Sequence, residues 1–195
     1  MTYTPLRYRS YQAYLDDDQL GPDGNYRLLS TGEVIEVSSE DDENLRLAIR
    51  LMFSLEQLPR LKNLVRNGGK EIQVNPVGDQ QVNRKPDVIV MQPEHLEIAR
   101  QAIMFGMSAP QFVAEIVSPG PESSENYKRD YLWKRLQYQE WCIPEYWIVD
   151  RHRQQVTVLS LRNDTYQETI YRGKKLIVSK AFPDLLLTAD AVLVG

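Results

Sequence analysis

Two carboxylates stand where the surrounding residues are apolar. Asp87 lies in Lys85-Pro86-Asp87-Val88-Ile89-Val90-Met91, and Glu115 in Phe112-Val113-Ala114-Glu115-Ile116-Val117. Both runs are β-branched and read as buried strands, where an ionised side chain is costly unless it is paired or bound to a cation. Either acid by itself fits a strand end that meets solvent or an arginine. Together they suit the hard oxygen ligands of Mg²⁺ or Mn²⁺, with the backbone carbonyl of Ile116 as a further ligand. Such an ion polarises a phosphate and lowers the pKa of an attacking water, while a neighbouring ammonium orients that water and offsets charge in the transition state. A lysine is available for that role. Tyr127, Tyr131, Tyr138 and Trp141 recur at i, i+4, i+11 and i+14 on one helical face, and the remaining i+7 position is Lys134. The plainer alternative for Lys134 is an i, i+4 ion pair with Asp130, contributing about 0.2–0.5 kcal/mol. Lys128, earlier on the same helix, is the substitute.

These side chains need a sheet and a helix to hold them. Tyr26–Leu29 and Glu33–Val37 flank Ser30-Thr31-Gly32 and read as a hairpin. Ser39 has the position of a helix N-cap with Asp42 three residues on, and Leu45, Ala48, Ile49, Met52 and Leu55 follow at helical spacing up to Pro59. After Gly68-Gly69 the period changes: Glu71–Asn75 alternates, Val88–Met91 runs apolar, residues 93–103 predict a helix, and Gln111–Val117 predicts a second buried strand. Ser118-Pro119-Gly120-Pro121 must break regular structure directly after Glu115. Ser123 or Ser124 then caps a helix running to about Cys142, whose thiol is expected to be a buried small hydrophobe. Glu145–Val149 is a strand, Gln155–Leu159 and Thr165–Tyr171 make a hairpin across Arg162-Asn163-Asp164, and Leu176–Val178 adds an edge strand. This order predicts an α/β (α+β) domain over residues 26–195, with a central mixed sheet flanked by helices and additional hairpins, after a loosely held arm over residues 1–25. Asp87 begins one central strand, Glu115 lies near the end of another, and Lys134 looks inward from the next helix, so all three can converge on one edge of the sheet.

Of 195 residues, 42% are hydrophobic, enough for one substantial core. No window approaches the roughly 18 consecutive apolar residues of a membrane span. Met1-Thr2-Tyr3-Thr4-Pro5-Leu6-Arg7 lacks a secretory layout, and the lone Cys142 cannot form an internal disulfide, so a soluble cytoplasmic protein is expected. Net charge is −4, unevenly spread: residues 1–43 carry ten acidic and three basic groups, residues 44–135 ten and thirteen, and the rest seven of each. A polyanion would therefore be met by the middle of the chain. A pI near 5.3 argues against a protein that coats nucleic acid non-specifically. His95 and His152 have no cysteine at metal spacing, which argues against zinc. No Gly-rich phosphate loop indicates a nucleotide cofactor.

Pro86-Asp87, then Glu115-Ile116-Val117-Ser118-Pro119, then Asp130-x-x-x-Lys134-x-x-x-Tyr138, then Ile143-Pro144-Glu145-Tyr146-Trp147-Ile148-Val149-Asp150 resembles the Uma2 family (DUF820) of restriction-endonuclease-like proteins. The likeness covers roughly residues 26–190, and the string from Glu115 to Asp150 is its specific part. The resemblance implies the PD-(D/E)xK nuclease fold, with an Asp and a Glu on adjacent strands binding a divalent metal and hydrolysis of nucleic-acid phosphodiesters. The lysine that the superfamily pattern places two residues after the Glu is Val117 here; relatives of this type are taken to supply it from the following helix, which matches Lys134. An N-terminal acid is also implied, for which Glu36 and Glu43 both qualify, although Glu43 heads a helix whose dipole it would complement in any case. Many relatives carry a His near position 44, where this chain has Asn44.

The leading expectation is a Mg²⁺-dependent endodeoxyribonuclease acting on DNA, with Asp87 and Glu115 as ligands and Lys134 as the catalytic ammonium. The rival is a catalytically inactive nucleic-acid-binding or assembly protein on the same fold. A homodimer is expected from the two-fold symmetry of a duplex substrate.

Overall fold

The computed structural model describes residues 6–18, 20, 24–38, 41–118 and 120–194. Its elements, in chain order, are α1 (Tyr11–Leu15), β1 (Tyr26–Leu28), β2 (Val34–Glu36), α2 (Asp42–Glu56), β3 (Val65–Asn67), β4 (Glu71–Gln73), β5 (Asn83–Arg84), β6 (Val88–Val90), α3 (His95–Ile98), β7 (Ala102–Ile103) and β8 (Phe112–Ile116). There follow α4 (Glu125–Tyr127), a π-helical turn (Lys128–Trp133), α5 (Lys134–Glu140), β9 (Glu145–Asp150), β10 (Gln155–Arg162), β11 (Thr165–Tyr171) and α6 (Ala189–Leu193). The fold is mixed α+β. Its centre is a six-stranded sheet in the order β11-β10-β9-β8-β6-β3, in which β8 and β9 run parallel and the other neighbours antiparallel.

Strand alternation divides the core between the two faces of this sheet. Val88, Val90, Ala114, Ile116, Trp147 and Val149 face α2, whose Leu47, Ala48, Leu51 and Leu55 recur at helical spacing to cover them. Ile89, Val113, Val117, Tyr146 and Ile148 face the other way, onto Tyr138 and Ile143. A parallel pair needs a long crossover, and the helical segment 125–140 supplies it, so the residues after Glu115 are carried back over the face that Glu115 occupies. Ser124 caps that segment by accepting from Tyr127 N at 3.2 Å. The hairpin joining β10 and β11 turns at Asn163 and Asp164, both at positive φ (48° and 60°), as a two-residue turn matched to strand twist requires.

Several expectations change. The helix predicted over 93–103 is only α3, because Lys70 Nζ takes the Ala99 and Arg100 carbonyls and β7 then pairs in parallel with β4. The N-cap of α2 is Asp41, which accepts from Glu43 N at 2.9 Å; Ser39 lies outside the described residues. Leu176–Val178 contributes one isolated bridge, Leu176 to Thr188, rather than a strand. Cys142 is exposed. It follows the helix at φ 56°, with Ile143 N donating to Tyr138 O and Cys142 N to Gln139 O, so it is the left-handed residue of a Schellman cap and Ile143 takes the buried place. Nor is the N-terminal stretch loose where it is described: α1 buries Tyr11 and Tyr14, and the Tyr11 hydroxyl donates to Glu71 Oε1 at 2.6 Å.

Candidate active site

The site begins with a proline. The register Val88↔Ala114 sets Pro86 opposite Ile116, and Pro86 has no N–H for the ladder. Ile116 N donates instead to Asp87 Oδ2 at 2.7 Å, so β6 and β8 part here and the Asp87 carboxylate closes the gap. The Ile116 carbonyl, on the same edge as its N–H, meets no donor at Pro86.

Glu115 points to the opposite face from Ile116, beneath the crossover helix. Its Oε1 accepts from the Tyr138 hydroxyl at 2.5 Å and its Oε2 from Lys134 Nζ at 2.8 Å. Lys134 Nζ also lies 2.9 Å from Asp130 Oδ1, so the i, i+4 pair and the inward lysine are both real and share one ammonium. Asp130 is 2% exposed and held from its other side by Arg129, whose Nε and Nη2 donate at 3.0 Å each. The Tyr146 hydroxyl donates to the Asp130 backbone carbonyl at 3.0 Å. That anchor lies inside the π-helical turn, a geometry that recurs at functional sites.

These contacts set the charge states. Burial alone would make Lys134 less basic, but Asp130 and Glu115 together outweigh it and raise its pKa above the ordinary 10.5. Burial likewise opposes ionisation of Asp130, yet Lys134 and Arg129 hold its pKa below the ordinary 3.8. Burial, with Glu115 beside it, pushes the Tyr138 hydroxyl well above 10, so it remains a donor. Lys134 is thus an ammonium and Asp130 a carboxylate through the neutral range.

Asp87, Glu115, Ile116, Asp130 and Lys134 line one cavity of about 330 Å³, together with Arg27, Arg84, Lys85 and Arg129. Glu36, Glu43 and Lys128 are not among its lining residues. Glu36 is exposed on β2. Glu43 sits on the open first turn of α2 and is taken by Arg151 Nη1 at 2.7 Å. Lys128 points outward and pairs with Glu125 at 2.9 Å. Asn44 is buried and accepts from Arg151 Nε at 3.1 Å, a fastening of α2 to the turn after β9. The cations around the cavity went unread in the sequence because they come from separate segments; Tyr138 was in view as a member of the aromatic stripe and of the family string, without a role of its own.

Two carboxylates and a carbonyl form an all-oxygen donor set that suits Mg²⁺ or Mn²⁺, ions that keep several waters. Among the described residues no group of three or more His, Cys, Asp or Glu side chains has metal-binding spacing. Asp87, Glu115 and the Ile116 carbonyl are the oxygen donors of this cavity from which such an ion would draw ligands, with water and substrate completing its shell.

The same chain path occurs in a solved structure. A crystal structure titled "a putative nuclease belonging to DUF820", from Anabaena variabilis ATCC 29413, superposes with a TM-score of 0.63 at 15% identity, over 98% of each chain. That likeness shows a shared fold. The chain itself belongs to the Uma2 family, described as "Putative restriction endonuclease", whose model matches residues 10–190. No curated protein matches it. No helix among the described residues is long and apolar enough to cross a membrane.

Proposed function

We propose that this protein is a divalent-metal-dependent endonuclease that hydrolyses DNA phosphodiester bonds. The observation that carries the reading is the Lys134 ammonium, fixed between Asp130 and Glu115 in a cavity that Asp87 and Ile116 also line. Asp87, Glu115 and the Ile116 carbonyl would hold Mg²⁺ or Mn²⁺, which when bound polarises the phosphate and lowers the pKa of the attacking water. Lys134 stays protonated, so it acts as a donor and a charge rather than as a base: it orients the water and offsets negative charge developing on the phosphate. Asp130 keeps it aimed at no cost in charge state, and Tyr138 fixes the rotamer of Glu115. Arg129 faces the cavity as a cation for the substrate's oxygens.

A two-fold homodimer in the cytoplasm would present one such site to each strand of a duplex; sedimentation analysis checks it. The activity is tested on supercoiled plasmid with Mg²⁺ or Mn²⁺. Nicking that disappears with Asp87→Asn and with Lys134→Met supports the assignment, and nicking that survives both rejects it.

One observation favours a second reading, a nucleic-acid-binding protein without hydrolysis. Both oxygens of Glu115 are already engaged, one by Tyr138 and one by Lys134, leaving only their second lone pairs for an ion. Calorimetric titration separates the two: uptake of Mn²⁺ lost in Asp87→Asn favours the enzyme, and no uptake by the unaltered protein favours the binder.

A further inference from the structure

A second cavity, of about 270 Å³, adjoins the first at Asp87 and shares Asn25, Arg27 and Lys85 with it, so the two are compartments of one groove. The second compartment adds Asn67, Gly68 and Gly69. Three of its side chains, Arg27, Lys85 and Asn67, keep donors to spare. Arg27 donates to Asn25 Oδ1 at 2.6 Å and to the Tyr26 carbonyl at 2.8 Å, and makes no ion pair among the described residues. Lys85 Nζ donates to the Gly24 carbonyl at 3.2 Å, and its one ion-pair partner among the described residues, Glu71, is 4.0 Å away. Asn67 Nδ2 is buried with no acceptor. Charge and donors left in this state are costly unless a ligand answers them. An anion with several acceptor oxygens answers the two cations, and Asn67 lines the same compartment.

We infer that this compartment is a subsite for the phosphate flanking the scissile one, with Lys85 and Arg27 supplying charge and Asn67 a donor. The groove then takes a nucleic-acid strand, with a phosphate on each side of Asp87, in preference to an isolated phosphate ester. The inference deepens the nuclease reading and rests on it for the scissile position.

Fluorescence anisotropy of a short labelled DNA strand, in EDTA and over a range of salt, tests it without cleavage. Lys85→Gln is expected to weaken binding and to reduce the slope of log Kd against log salt by about 0.7, the value for one phosphate contact on a single strand. Lys128→Gln, on an outward side chain paired with Glu125, is expected to leave both unchanged. Asn67→Leu removes a donor that is already unsatisfied, so it should melt no lower than the unaltered protein while still binding the strand more weakly. That variant keeps the test decisive if Lys85→Gln fails to fold. Equal affinities and slopes for the unaltered protein, Lys85→Gln and Asn67→Leu overturn the inference, as does failure of the unaltered protein to bind the strand at any salt. Failure of the nuclease reading looks different: no metal produces cleavage, yet the difference in slope persists and the anion subsite stands.

Discussion

Glu115 and Glu145 are glutamates on neighbouring strands, 2% and 0% exposed, and the molecule uses them in opposite ways. Glu145 accepts from Trp147 Nε1, Ser179 Oγ and Lys180 N at 2.7 Å each and from Ala181 N at 3.2 Å. Its donors are neutral or backbone groups, and they pin residues 179–181 against the sheet. Glu115 is met by an ammonium and a phenol, and it lines a cavity that also holds Asp87. A buried carboxylate is thus no mark of chemistry in itself. The mark is a partner that carries charge together with access to something outside the fold. Glu71 stands between the two: the Tyr11 and Tyr14 hydroxyls and Asn83 cover it, while Lys85 Nζ lies 4.0 Å away.

The comparison breaks first on activity. Asp87→Asn keeps an acceptor for Ile116 N but loses the charge, and Lys134→Met loses the ammonium. Each is expected to cut plasmid cleavage by about 10²–10³-fold, the usual effect of deleting one preorganised electrostatic group, while circular dichroism of Asp87→Asn stays that of the unaltered protein. Next comes stability. Glu145→Ala strands several donors and should cost about 3 kcal/mol in denaturant unfolding, with cleavage retained under folding conditions. Glu115→Ala should cost less, since Asp130 still pairs Lys134; equal losses would mean that Glu115 is only another structural pin. Tyr138→Phe removes one hydrogen bond from Glu115 and should lower cleavage by roughly tenfold, as loss of an orienting partner does, with a melting temperature close to that of the unaltered protein.

The smallest effect is that of pH. Asp130 has a depressed pKa, so its contribution is full above its unfolded value near 3.8 and fades as pH falls through the lower folded value. Lys134 has a raised pKa, so its contribution is full below its unfolded value near 10.5 and fades as pH rises through the higher folded value. Between those limits the pair should add nothing to the slope of stability against pH. Melting curves of the unaltered protein and Asp130→Asn should therefore differ by a constant amount across the neutral range, and the difference should narrow in strong acid and again in strong alkali.

Much of this site was legible because it obeys short-range periodicities. The strand runs around Asp87 and Glu115, the cap at Ser124 and the inward lysine all follow from local spacing, and these features appear where they were expected. Other readings turned on contacts and backbone geometry that spacing along one segment does not show. Residues 93–103 look helical until Lys70, distant in sequence, captures the Ala99 and Arg100 carbonyls. Cys142 looks like a core residue until the left-handed cap turns it outward. The acids offered for the fourth corner, Glu36 and Glu43, had the right residue type but no means of showing whether the chain turns them toward the cleft.

By itself the sequence determined which residues carry charge into apolar strands and that a lysine breaks the aromatic stripe, because both are matters of period along one segment. It also determined the family. Only the tertiary structure decided that Lys134 serves Glu115 and Asp130 together, that Pro86 opens the sheet edge for Asp87, and that Arg27, Lys85 and Asn67 meet beyond it. Those facts depend on strand register and on the path of the crossover, which bring together residues far apart in the chain.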